Sequence, residues 1–283
     1  NQKNITLTGG SGNYGMLSVR GDGSNSEFDS ITPNLQNSGT ISIDGENSYG
    51  MASYNGGGSN NSGTISMAQV GTGIMHNTGI IYNNGSVSLQ KGGVGLSMTQ
   101  QGDIYNTNSG SIVIDNAQSA TSTSSDNSAT QESGGDTNTE DTTTEDTGTS
   151  STQTTTTTDD ASNASIAISS QKGNVYNNGS ILMTNKTNAS NTTSYGIKGN
   201  EVTAENTGSI TINDANDSYG VSITNGEIIN SGLINLGNTT GTANNSAYGL
   251  QISQGNVTNS GQISLSNKLN AYGIQAGSGN VVN

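Results

Sequence analysis

The chain has no cysteine and no tryptophan, and it carries one proline, one phenylalanine, one histidine and one arginine, Arg20, in 283 residues. Without cysteine there is no disulfide framework, and the redox compartment stays open. Hydrophobic residues make up 28% and aromatics 4%, too few for the broad apolar core of an ordinary globule. Only seven residues are Lys or Arg, against 21 Asp and Glu, which excludes a phosphate-binding surface and therefore nucleic acid. No apolar run is long enough for a membrane span, and no signal-peptide or lipidation pattern is present.

What is abundant is Gly (41 residues) together with Asn, Ser and Thr, and these are arranged in a repeat. One copy reads Asn259-Ser-Gly-Gln-Ile-Ser-Leu265 followed by Ala271-Tyr-Gly-Ile274, and Gly255-Asn-Val-Thr-Asn259 leads into it. Taking the Gly of the Asn-x-Gly turn as a mark, copies stand at Gly39, Gly63, Gly85, Gly110, Gly179, Gly208, Gly232 and Gly261. An earlier copy enters at Ile5-Thr-Leu7, which makes nine coils. The steps are 22 to 29 residues except for one of 69. Each first piece alternates strictly, as in Ile41/Ile43, Val87/Leu89, Ile210/Ile212 and Ile263/Leu265, the pattern of a strand with one buried face. A second piece carries Tyr-Gly before an apolar residue (Tyr14, Tyr49, Tyr195, Tyr219, Tyr248, Tyr272), and a third ends in Asn. Three short strands per copy, none able to bury a face alone, predict a right-handed parallel β-helix in which a thin apolar column suffices. Its turn asparagines should stack into an amide ladder at one corner. At about 4.8 Å per coil, nine coils would form a rod of roughly 40 Å.

The alternation stops between residues 116 and 163, a tract of Ser, Thr, Asp, Glu, Asn, Gln, Gly and Ala. It holds nine of the 21 acidic residues and no Lys or Arg, so the rest of the chain is 12 acidic against seven basic, or −5 of the total −14. Such a tract cannot offset chain entropy by apolar burial and reads as a disordered loop. Expected boundaries are thus coils over 1–115, an inserted loop over 116–163, and the same solenoid resumed over 164–283. Ser165-Ile-Ala-Ile168 aligns with Ser194-Tyr-Gly-Ile197, which places the insert between the first and second strands of the fifth coil. Other coils change length at that same junction (185–193, 213–217, 237–246, 266–270). Variable loops on one edge of a rigid rod are where recognition is expected. The strand-like start and the stop within a third piece suggest a segment cut from a longer repeat.

The pairing of Asn-Ser/Thr-Gly-x-Ile-x-Ile with Ser/Ala-Tyr-Gly-Ile resembles the β-helix passenger domains of type V autotransporter surface proteins. It looks most like the large fusobacterial autotransporter adhesins, and the likeness covers residues 1–115 and 164–283. The resemblance implies an extracellular, cell-surface location and a parent protein anchored by a C-terminal outer-membrane barrel, with no membrane contact by this segment. It implies a non-catalytic role in adhesion and virulence, with a host cell-surface receptor or glycan, or a neighbouring bacterial surface, as partner. No cofactor or metal is expected.

Ligand-binding candidates are loop residues. Arg20, Gly21 and Asp22 spell the tripeptide of integrin ligands, although a Gly-rich loop yields it by chance as well. Asn188, Asn191, Thr192, Asn238 and Asn244 lie in the two longer loops at the variable junction. The repeated tyrosines are expected to face the core, because each stands two residues before an inward apolar side chain; Tyr105 and Tyr176 are expected to face outward. His76, lacking a triad partner nearby, reads as a surface residue. Asp44, Glu46, Asp103, Asp115, Asp214 and Asp217 read as solubilising charge in turns. A β-helix polysaccharide lyase or hydrolase, tailspike-like, is the alternative, and it would need a cluster of acidic and basic side chains in one groove. An ice-binding face is disfavoured because Ser42, Ser66, Ser88, Thr211, Asn235 and Ser264 form no regular threonine array.

Overall fold

The computed structural model describes residues 1–19, 35–54, 56–116, 164–185, 192–239 and 246–283, and no helix occurs among them. They form a parallel β-solenoid. Nine strands stack in chain order in one sheet, from Asn4–Ser11 and Thr40–Glu46 to Leu233–Gly237 and Gln262–Ser266. Nine strands in order leave eight steps, hence eight turns of the coil. The second sheet interleaves with the first, running from Tyr14–Ser18 to Asn270–Ser278. The stack continues across the long insertion: Ser111–Asp115 pairs with Ser180–Thr184, and Gly93–Asn106 pairs with Ala164–Asn177. Disorder of the inserted tract is an expectation that lies outside the described residues.

The alternating pairs are the core. Ile41, Ile65, Val87, Ile112, Ile210 and Ile234 are fully buried, each stacked on its equivalent one coil away. Identical side chains in register bury one another on both faces of each rung, so a narrow column is dry with little apolar residue per coil.

Three strands per coil hold at the two ends of the stack, where Ser48–Ser53 and Gly58–Asn61, and at the last coil Asn270–Ser278 and Val281–Val282, are separate. From Gly71–Asn83 to Ser246–Asn259 the second and third pieces are one strand of 13 or 14 residues, as in Asp217–Asn230. In Asp217–Asn230 and Ser246–Asn259 the bend sits at a glycine with positive φ, +137° at Gly226 and +132° at Gly255, which turns the corner without ending the parallel ladder.

The asparagine ladder is present and complete. Asn37, Asn61, Asn83, Asn106, Asn177, Asn206, Asn230 and Asn259 each donate an amide hydrogen bond to the side-chain oxygen of the next, ending on Asn283, at 2.6 to 2.9 Å. Asn1 begins the series at 3.1 Å from Asn37. The turn following each Asn is held from the coil before: the amides of Ser231 and Gly232 both donate to the Asn206 carbonyl, at 2.9 and 3.0 Å.

Candidate functional site

From the third coil onward the junction from the first sheet to the second is the edge where coils differ. Three residues separate Met67 from Gly71, ten separate Leu236 from Ala247, and fifty separate Ile114 from Ser165. By contrast the Asn turn has two intervening residues in every coil but the one at Asn106. Two carboxylates frame the 240–245 stretch. Asp214, at φ +59°, accepts hydrogen bonds from the Thr239 amide and hydroxyl at 2.6 and 2.7 Å, and Asp217 accepts the Ser246 amide at 3.1 Å. Lys268 donates from Nζ to the Ala215 carbonyl at 2.5 Å. Burial pulls its pKa down to about 8, against the opposing pull of Asp217 and Asp214.

Of the sequence-derived binding residues, Arg20, Gly21, Asp22, Asn188, Asn191 and Asn244 lie outside the described residues. Thr192 and Asn238 are placed, and both are buried. The Thr192 carbonyl accepts the amides of Asn216 and Asp217. Asn238 and Asn267 donate reciprocally to each other's carbonyls, at 3.2 and 2.8 Å. These two residues tie the corner to the neighbouring coils. Asn116 and Asn185 continue the same inner position, linked at 3.3 Å. Sequence reasoning missed this second amide column; its signal is an Asn two residues past the last inward residue of the first strand, after Ile114, Met183, Leu236 and Leu265.

The repeated tyrosines stack, but on the outside. In Asp217–Asn230 both Gly220 and Val221 are buried, so the alternation slips by one and Tyr219 is left half-exposed. A Cβ on Gly220 would lie 2.5 Å from the Gly249 carbonyl oxygen and 2.6 Å from Ile234; the glycine occupies the inward place that simple counting gives to the tyrosine. Tyr195, Tyr219, Tyr248 and Tyr272 form a ladder with ring centroids 4.6, 4.9 and 5.0 Å apart. Tyr14 and Tyr49 form a second stack at 5.0 Å. Tyr82, Tyr105 and Tyr176 form a third outward one at 4.9 and 4.8 Å, which adds Tyr82 to the two expected there.

The acids also differ from expectation. Asp44, Glu46, Asp103, Asp115 and Asp217 lie within strands, and only Asp214 of the six lies between them. Asp103, Glu205 and Glu227 occupy outward positions on the far half of the second sheet, and Glu205 and Glu227 stand on neighbouring strands two positions out of register. Beside them a shallow depression of about 350 Å³ is lined by Lys172, Glu201, Thr203 and Asn225. Lys172 and Glu201 pair across it at 3.1 Å, both exposed. Among the described residues no cluster of three or more His, Cys, Asp or Glu is placed to hold a metal.

His76 is not a surface residue: it is fully buried. It takes the inward position that Met98 holds in the next coil, with Nε2 2.5 Å from Ser59 Oγ and Nδ1 without a hydrogen-bond partner among the described residues. It lies within the strand Gly71–Asn83, whose alternation turns it inward. Burial lowers its pKa from 6.5 to about 4, the Thr78 backbone opposing weakly. Between those values the unfolded chain binds a proton that the folded chain refuses, so stability falls as pH drops from 6.5 to 4. The full loss is about 3 kcal/mol at 1.36 kcal/mol per pKa unit. His76→Met should remove that slope in urea titrations across the window; an unchanged slope would place the acid sensitivity elsewhere.

These features define a repeat protein of the parallel β-solenoid class. No family model, no curated protein and no solved structure matches the chain.

Proposed function

We propose that this chain is a stretch of a bacterial surface adhesin of the autotransporter type, a non-catalytic rod that presents loops to host cells or to other bacteria. The observation that carries the reading is the restriction of large length changes to one junction from the third coil onward, on a scaffold whose other turn is held by a continuous amide ladder. A ladder of buried amides fixes the rod, and loops on a fixed edge bind without first ordering a scaffold. The test compares the whole chain with one lacking 117–163 on host cells and a glycan array. Binding that the deletion abolishes assigns recognition to the insertion. Equal binding assigns it to the rod or the shorter loops, with Arg20 and Asn188 to Thr192 the next substitutions. No binding by either sinks the adhesive reading for this stretch.

The outward carboxylates favour one second reading, polysaccharide cleavage. On adjacent parallel strands an offset of two positions sets backbones roughly 8 Å apart, within the range over which inverting glycosidases place their two carboxyl groups. Release of reducing or unsaturated sugar ends, lost in Glu205→Gln or Glu227→Gln, would establish it.

A further inference from the structure

We infer that the outer tyrosine ladder is a site of oxidative cross-linking, at which a peroxide and a haem peroxidase join consecutive coils through dityrosine. Three observations carry this. First, the rings are close and nearly parallel: Tyr195–Tyr219, Tyr219–Tyr248 and Tyr248–Tyr272 stack at 4.6 to 5.0 Å with interplanar angles of 13°, 6° and 5°. Second, they are held in register by the strand pairing itself, Tyr195 opposite Tyr219, then Tyr248, then Tyr272, so equivalent atoms of successive rings face each other. Third, all four are on the outside of the second sheet, partly exposed, with Tyr272 43% exposed at the last rung. An oxidant can therefore reach rings that already stack on coupling partners.

The chemistry balances as follows. Each of two phenols loses one electron and its hydroxyl proton to give a phenoxyl radical. The radicals join by a new carbon–carbon bond between ring carbons ortho to oxygen, and the two ortho hydrogens move to the oxygens as aromaticity returns. One hydrogen peroxide accepts the two electrons and two protons and leaves as two waters. Proximity converts a step that is bimolecular between free tyrosines into one within a single molecule. The rings must pivot from stacked to edge-joined, and their outward placement leaves room for it. The product is a covalent staple between residues 24 to 29 positions apart in sequence but one coil apart in the rod.

The experiment treats the whole folded chain with hydrogen peroxide and a haem peroxidase, follows dityrosine fluorescence, and maps linked peptides by mass spectrometry. The expected result is linkage of Tyr195–Tyr219, Tyr219–Tyr248 and Tyr248–Tyr272, with a yield per chain that dilution does not change. Tyr219→Phe should lose the first two links and keep the third. The proposal is overturned if the chain forms no dityrosine while free tyrosine in the same mixture couples. It is equally overturned if links join tyrosines out of register, or if they join two chains with a yield that falls on dilution.

Discussion

Asn177→Ala is expected to destabilise the rod by about 3–5 kcal/mol and to split its unfolding into separable transitions. Asn177 is fully buried at the midpoint of the ladder. Its Oδ1 accepts from Asn106 at 2.7 Å, and its Nδ2 donates to Asn206 at 2.7 Å. Truncation strips a donor on one side and an acceptor on the other of their partners inside the rod, at about 1–3 kcal/mol each, and the small void adds to that. Because coil stability is a sum of nearest-neighbour terms, the loss falls on the interface between the coils on either side of the long insertion. A urea titration should then show the two halves parting. Asn238→Ala is the control. It is buried too, yet its Oδ1 has no hydrogen-bond partner among the described residues and its Nδ2 makes one bond, so its loss should be near 1 kcal/mol.

Asn177→Asp separates hydrogen bonding from shape. A carboxylate of the same size still accepts from Asn106, but it offers a second acceptor to the Asn206 oxygen and brings a charge into the core. At pH 7 it should be worse than Asn177→Ala. Burial raises the folded carboxyl's pKa above its unfolded value, so protonation favours the fold and the penalty shrinks as pH is lowered. Parallel pH dependence of the two variants would sink the ladder as the source of the effect.

The rungs and the ladder were legible because they depend on features that recur: a period of two within the first strand and Asn before each turn. Stacking then amplifies any preference that every coil shares. What failed to read were the places where a coil departs from counting. Tyr219 was assigned inward by alternation, and the slip at Gly220–Val221, which sends it outward, is visible only once the glycine is seen to fill the inward site. The signal was in the sequence, since Tyr is followed by Gly in six coils, and a small residue after every ring marks where bulk is not tolerated. His76 failed for the opposite reason. It occurs once, its coil replaces Tyr-Gly with Thr72-Gly73, and nothing repeats to show that it shares a position with Met98. Thr192 and Asn238 were chosen for lying in variable segments; both are buried, Thr192 tied to the rod through its carbonyl and Asn238 through its side-chain amide.

Gly226→Val should cost at least about 3 kcal/mol, and the same substitution should cost far less when Ile223 is changed to Gly. Gly226 sits at the strand bend with φ +137°, and a Cβ there would lie 2.0 Å from the Val202 carbonyl oxygen. Both the positive φ and the overlap oppose a branched side chain. Yet the adjacent coil has Val202 at the very position paired with Gly226, buried, and without positive φ. That coil places Gly199 where its neighbour has the buried Ile223, and a Cβ on Gly199 would meet Val202 and Ile223 side-chain carbons at 2.8 Å. The two coils thus fill the same bend from opposite sides: Ile before it with Gly at it, or Gly before it with Val at it. Ile223→Gly alone should cost several kcal/mol through lost burial. The double variant copies a solution already present one rung away, so the two losses should fall short of additive by about 2 kcal/mol in a double-mutant cycle. Additive losses would mean that the bend of each coil is fixed by something other than this exchange of bulk.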